Sequence, residues 1–143
     1  MEYNYENWKE EKSIVKVCEA LLDNADMDIN IVSTPFSVTL MFFVVGSDIK
    51  VTFHCCDVTK FHIKKEYDDI PLHLVLEVNV TEPRNKRAPA MNDFEYGTLN
   101  QDDFSWKIDI YPEAELNIEC LKFSWKLTKA TKEELSYREL KST

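Results

Sequence analysis

The densest group of chemically capable side chains is His54, Cys55, Cys56, Asp57 and His62. Zinc sites set paired ligands two to four residues apart on a turn, so that both can face one ion. Here the two cysteines are adjacent, inside a run in which Ile49, Val51, Phe53 and Cys55 alternate with Lys50, Thr52 and His54. Neighbours on a strand point to opposite faces. The run therefore predicts no metal site, with Cys55 a small core residue and His54 on a polar face. A nucleophilic cysteine needs a base within hydrogen-bond reach and a lowered pKa. His54, His62 and His73 are the only histidines, and none sits in a loop beside a cysteine.

The carboxylates point the same way. Asp68-Asp69 and Asp102-Asp103 are loop pairs with similar solvated surroundings, whereas acid–base work needs two carboxyls in different environments. Asn24, Asp26 and Asp28 lack the glycine and closing glutamate of a calcium loop. There is no Gly-x-Ser-x-Gly elbow and no His-Glu-x-x-His helix. The 2 glycines, Gly46 and Gly97, are isolated. That excludes a phosphate-binding loop and a dinucleotide fingerprint, in which glycines let backbone approach phosphate. The expectation is a protein that is no enzyme, with no catalytic residue, no metal and no cofactor.

Charge is the more informative feature. The 143 residues carry a formal net charge of -9, which disfavours nucleic acid as a partner because phosphate neutralisation drives that binding. Residues 1–28 hold 3 lysines against 8 acids, residues 29–92 are balanced, and residues 120–143 are net +3. Residues 93–119 set Lys107 alone against Asp93, Glu95, Asp102, Asp103, Asp109, Glu113, Glu115 and Glu119. Such a segment is either a solvated face or a docking surface for a basic partner, where complementary charge speeds encounter and rejects wrong partners. The candidate partner-binding residues are Asp93, Glu95, Tyr96, Asp102, Asp103, Glu113 and Glu115. Phe94, Tyr96, Phe104 and Tyr111 are either its aromatic anchors or core residues of the flanking strands.

These residues must be positioned by a mostly antiparallel β structure. The fold class expected is α+β, a sandwich or strongly curved sheet with an N-terminal helix and a short C-terminal one, in a single domain over residues 1–143. Ile14, Cys18 and Leu21, with Val15 and Leu22, give residues 6–23 one apolar helical face. Residues 29–80 form a first strand group. Residues 36–45 read as a strand covered on both faces, and Gly46-Ser47-Asp48 turns it into the alternating strand from Ile49. Val58, Phe61 and Ile63 suggest a further strand, broken at residues 68–71, and residues 72–80 alternate cleanly. Residues 81–103 read as a long loop, with a short strand piece at residues 94–96. Residues 104–128 form the second strand group. Its apolar parity changes at Cys120-Leu121, which predicts a bulge or sharp bend there. Thr131 and Glu134 fit a capping box, opening a helix over residues 131–141 with Leu135 and Leu140 inward.

Two segments repeat weakly. Val51-Thr52-Phe53-His54-Cys55-Cys56-Asp57-Val58 lines up with Leu116-Asn117-Ile118-Glu119-Cys120-Leu121-Lys122-Phe123. Either any two half-buried strands share such alternation, or the chain has two related halves. The N-terminus lacks the basic start and apolar run of a secretory signal, and no apolar run is long enough to cross a bilayer. The expected location is therefore cytoplasmic, away from the membrane, with reduced thiols; Asn79-Val80-Thr81 is then ordinary strand sequence.

The strand at residues 36–45, the segment at residues 51–58 and the late segment at residues 116–123 together resemble small β-rich bacterial immunity proteins, which are encoded beside secreted toxins and neutralise them. The resemblance implies a non-enzymatic protein that binds a cognate toxin and covers its active site or substrate channel. A nuclease toxin, with a basic substrate groove, would suit an acidic face. The competing expectation is a sandwich or barrel domain that binds an apolar small molecule, or a scaffold subunit.

Overall fold

The N-terminal apolar face forms two short helices instead of the single helix expected over residues 6–23. Helix α1 spans Tyr5–Trp8 and α2 spans Ile14–Leu21. The break has a local cause, because side chains capture the amides that a continuous helix would use. Asn4 caps α1 by accepting from the Asn7 N–H at 2.9 Å. Ser13 caps α2 by accepting from the Lys16 N–H at 3.2 Å. Between them, the Glu11 carboxylate accepts from the N–H groups of Lys12 and Ser13. Trp8, Val17, Cys18, Leu21 and Leu22 are buried; Cys18, Leu21 and Leu22 of the expected face pack inward, whereas Val15, expected beside them, is 53% exposed and Val17 takes an inner position instead.

The computed structural model describes residues 3–23, 25–65, 74–75, 77–84, 104–111 and 114–136. Among these residues, seven strands follow the helices: β1 (Ala25–Ser33), β2 (Phe36–Phe43), β3 (Ile49–Lys65), β4 (Leu74–Val75), β5 (Glu77–Thr81), β6 (Trp106–Tyr111) and β7 (Ala114–Lys129). All lie in one antiparallel sheet of order β4-β1-β2-β3-β7-β6-β5. One continuous core joins α2 to Met27 near one edge, Val78 at the other and the central strands between them. Strands β4 and β5 end the strand order on opposite sides, yet residue 76 alone separates them in the chain, so the sheet must curve strongly to bring its two ends together.

Several boundaries differ from those expected. The first strand begins at Ala25, not at residue 29. Asp26 and Asp28 look like breakers in sequence, but they alternate with buried Ala25 and Met27 and so complete a half-buried strand. The strand read over residues 36–45 ends at Phe43. It is buried chiefly through Val38, Leu40, Phe42 and Phe43, while Ser37, Thr39 and Met41 are only partly covered. Val58, Phe61 and Ile63 lie in the same strand as Ile49, since β3 runs unbroken to Lys65. The break at residues 68–71 and the strand piece at residues 94–96 lie outside the described residues.

The parity change expected at Cys120-Leu121 occurs, and both residues are buried. The irregularity that absorbs it sits on the facing strand. The β3–β7 register slips between Val58 and Lys60, opposite Cys120 and Glu119. Just before it, Asp57 has φ 53, a left-handed conformation that aspartate tolerates better than most residues, and Lys122 Nζ lies 3.4 Å from its carboxylate. At the other end of β7, the capping box forms. The Thr131 N–H donates to Glu134 Oε1 at 3.0 Å, and the Glu134 N–H donates to Thr131 Oγ1 at 3.1 Å. Residues 132–136 are helical.

The weak sequence repeat has a structural counterpart. Strands β3 and β7 are the paired central strands, and each is flanked by the other two strands of a three-stranded meander. Val38, Leu40 and Phe42 face Cys55, Phe53 and Val51 in the first half. Trp106, Ile108 and Ile110 face Cys120, Ile118 and Leu116 in the second. One strand further out, Met27 and Ile29 correspond to Val78 and Val80 by the same registers. Every one of these residues is in the core or packed against it. The chain is thus two topologically equivalent meanders joined at the β3–β7 bulge.

Candidate partner-binding site

The equivalence of the halves locates the acidic segment. In the first half, Ser33 pairs with Phe36, and the corner between β1 and β2 is the two residues Thr34 and Pro35. In the second half, β5 and β6 pair just as closely, Thr81 opposite Lys107. The chain between them nonetheless runs through residues 82–105. Its roots are fixed, with Pro83, Phe104 and Ser105 buried. A corner that the fold closes with two residues in one half is therefore a long excursion in the other. That excursion carries Asp93, Glu95, Tyr96, Asp102 and Asp103.

Of the candidate contact residues, Glu115 alone is described. It stands on β7 directly opposite Lys64 of β3. Asp93, Glu95, Tyr96, Asp102, Asp103 and Glu113 lie outside the described residues, as do Phe94 and residue pairs Asp68-Asp69 and Asp102-Asp103. Phe104 is 3% exposed and so belongs to the interior, not among surface anchors; Tyr111 is half-buried.

The described acids of residues 93–119 are held in a lattice of opposite partners. Asp109 accepts from Asn117 Nδ2 at 2.7 Å. Glu119 lies 3.5 Å from Lys60 Nζ and is register partner to both Lys60 and Lys107. The Glu119–Lys60 and Asp57–Lys122 pairs lie on the β3–β7 ribbon, and the Asp109–Asn117 pair joins β6 to β7. Cross-strand opposite charges stabilise a sheet by roughly 0.2–1 kcal/mol per pair. No sequence signal shows this lattice, because it depends on register. Within residues 82–105, Glu82, Asp93, Glu95, Asp102 and Asp103 stand against Arg84, Lys86 and Arg87, with every base ahead of Asp93.

The His-Cys cluster resolves as its alternation predicts. Cys55 is fully buried and Cys56 is exposed. Cys55 meets Cys120, its counterpart in the repeat; the hydrogen bond between them, followed by burial, pushes the Cys120 thiol well above the ordinary range. Burial pushes Cys18 up to about 12. Cys18 and Cys120 are packing thiols held in their neutral form. His62 lies opposite Asn117, and His54 opposite Thr39 and Ser124. Among the described residues, no three of His, Cys, Asp and Glu gather as metal ligands, and no helix is long and apolar enough to cross a membrane.

Fold and site together define an α+β protein, a curved antiparallel sheet in which Asp93, Glu95, Asp102 and Asp103 fall in the chain between β5 and β6. In comparisons with known proteins, no family model and no curated protein matches the chain.

Proposed function

We propose that this chain is a non-enzymatic protein-binding module of the immunity-protein kind, which engages a basic protein, such as a nuclease toxin, through the excursion of residues 82–105 and the adjoining acids. One observation carries the reading. The first half of the fold turns the equivalent corner in two residues, so the sheet does not need the excursion in order to close. Segments that a scaffold does not need, mounted on its rigid strands, are where binding residues concentrate. From Asp93 to Trp106 the segment contains acids and no lysine or arginine. It therefore favours a basic surface, and the field would act first on the association rate.

The test uses the protein encoded beside this chain in its source genome, purified and immobilised. Association is measured at several salt concentrations for the wild type, for D102K/D103K, and for a variant whose residues 85–103 are replaced by Asn-Gly. The reading expects salt-dependent association that slows at least about tenfold on charge reversal and is lost in the shortened chain, while both variants keep the wild-type circular dichroism. Tight binding unchanged in both variants would exclude the excursion as the contact.

A further inference from the structure

The face of the β3–β7 ribbon that points away from the core differs between its two halves. Past the bulge, lysines of β3 face acids of β7: Lys60 stands opposite Glu119 and Lys64 opposite Glu115. Before the bulge, Lys50 stands opposite Thr128, Thr52 opposite Lys126, His54 opposite Ser124 and Cys56 opposite Lys122. Each of these four rungs sets a nitrogen group against a hydroxyl or a thiol, and none contains a carboxylate.

The two end rungs take acids from elsewhere. Glu134 pairs with Lys50, and Asp57 lies 3.4 Å from Lys122. The two inner rungs do not: among the described residues, Thr52, His54, Ser124 and Lys126 have no hydrogen bond or ion pair through their side chains. Thr52 is 4% exposed, and its Oγ1 is buried with no partner. Buried polar groups are nearly always satisfied, so an orphan hydroxyl points to a bound species. Strand parity puts it on this face, because Val51 and Phe53 beside it are in the core. Ser124 and Lys126 are exposed and His54 is half-buried, so the Thr52 hydroxyl is the floor of the group. Opposed side chains on a sheet are about 5 Å apart and successive ones on one face about 7 Å. The four donors therefore surround a space that suits one small anion.

We propose that this face binds a small tetrahedral oxyanion of the phosphate class, held by the hydroxyls of Thr52 and Ser124, an imidazole N–H of His54 and the ammonium of Lys126. All four groups can donate hydrogen bonds, and the lysine supplies the countercharge that makes such bonds to an anion short and strong. A floor shielded from water strengthens them further. The same donors disfavour a cation. Glu134 and Asp57 are each engaged by a lysine, and Met41 stands between Thr52 and Asp28 in the register. The site lies in the first meander and its neighbour β7, apart from the β5–β6 excursion, so either proposal can fail alone.

Titration of the full chain with sodium phosphate, followed by amide NMR shifts, tests it, with sodium chloride at matched ionic strength as the reference. The expected result is saturable shifts centred on Thr52, His54, Ser124 and Lys126, with a dissociation constant of about 1 mM. Methyl phosphate, titrated in parallel, shows by its relative affinity whether the group is taken free or as a monoester. T52V and K126Q should each weaken binding at least about fivefold. T52V keeps the fold, because valine matches the shape of threonine and removes an unsatisfied hydroxyl. T52S, which restores the hydroxyl, should bind like the wild type, as should K107Q on β6. Shifts that do not saturate, shifts that chloride reproduces, or an unchanged constant in both T52V and K126Q would each overturn the proposal.

Discussion

Phe53 stands where the two meanders join, with aromatic neighbours in both. It is fully buried on β3. Its ring stands edge-on to Phe42 of β2 at 4.8 Å and to Phe123 of β7 at 5.1 Å. Phe123 in turn meets Trp106 of β6 at 5.1 Å, so four aromatic rings cross four consecutive strands. Truncating a buried phenylalanine to alanine costs about 3–5 kcal/mol in lost transfer energy and cavity. Each edge-to-face pair is worth roughly 0.5–1.5 kcal/mol, part of which that range already contains. F53A is therefore expected to lose about 4 kcal/mol, out of the roughly 5–15 kcal/mol that typical domains possess. For a chain of this length that lowers Tm by about 10–15 °C. Urea unfolding followed by tryptophan fluorescence measures it, with an unchanged slope showing that the unfolded state is not the cause. F36A supplies the contrast: Phe36 is 38% exposed and has a tilted contact with Phe61 at 6.1 Å, so it should lose less than about half as much. A Phe53–Phe123 double-mutant cycle should show coupling above about 0.5 kcal/mol. A loss in F53A below about 1.5 kcal/mol, or no coupling, would refute the claim that this aromatic row joins the halves.

The thiols and the C-terminal cap give two further expectations. Native protein should react with a thiol reagent once per chain, at exposed Cys56, and four times when unfolded, since Cys18, Cys55 and Cys120 are buried; native labelling that survives C56S would contradict the burial. At Glu134, burial works to raise the carboxyl pKa, but hydrogen bonds from Lys50 and Thr131 together with the Lys50 charge outweigh it, and the net shift is downward. A lowered folded-state pKa stabilises the protein above the ordinary glutamate value and loses that contribution as pH falls through the folded value. E134Q should therefore narrow the stability difference between pH 7 and pH 3, by less than about 1 kcal/mol for a pair this accessible to water; an equal acid-limb slope in both proteins would show that the cap carries no charge effect.

Period and capping chemistry were legible in the residues themselves. The Thr131–Glu134 box, the Gly46 turn, the separation of Cys55 from Cys56 and the parity change at Cys120-Leu121 each follow from local spacing, because the side-chain direction of a strand and the donors at a helix end are set within a few residues. Other features were hidden by neighbours that local rules misjudge. Asp26 and Asp28 concealed the start of β1, since a half-buried strand accepts acids on its open face. The helix break between Trp8 and Ile14 came from which side chain captured which amide. The acidic segment was legible as composition, but of its candidate residues only Glu115 has a described place, and that place is opposite a lysine.

The sequence by itself determined an α+β protein of alternating strands, its caps and turns, the exclusion of phosphate-binding glycine loops and the position of its charge. Those properties depend on residue type and short-range period. Tertiary structure alone decided which strands became neighbours. Pairing β3 with β7 brought two weakly similar segments side by side and placed Cys55 against Cys120, and the pairing of β7 with β3 on one side and β6 on the other gave Glu119 two lysine neighbours in the register. It also showed that the corner carrying the acids is one the other half closes with Thr34 and Pro35. Strand pairing joins residues far apart in the chain, and the register that selects each partner is set by the packing of a whole buried face, which no local window of sequence contains.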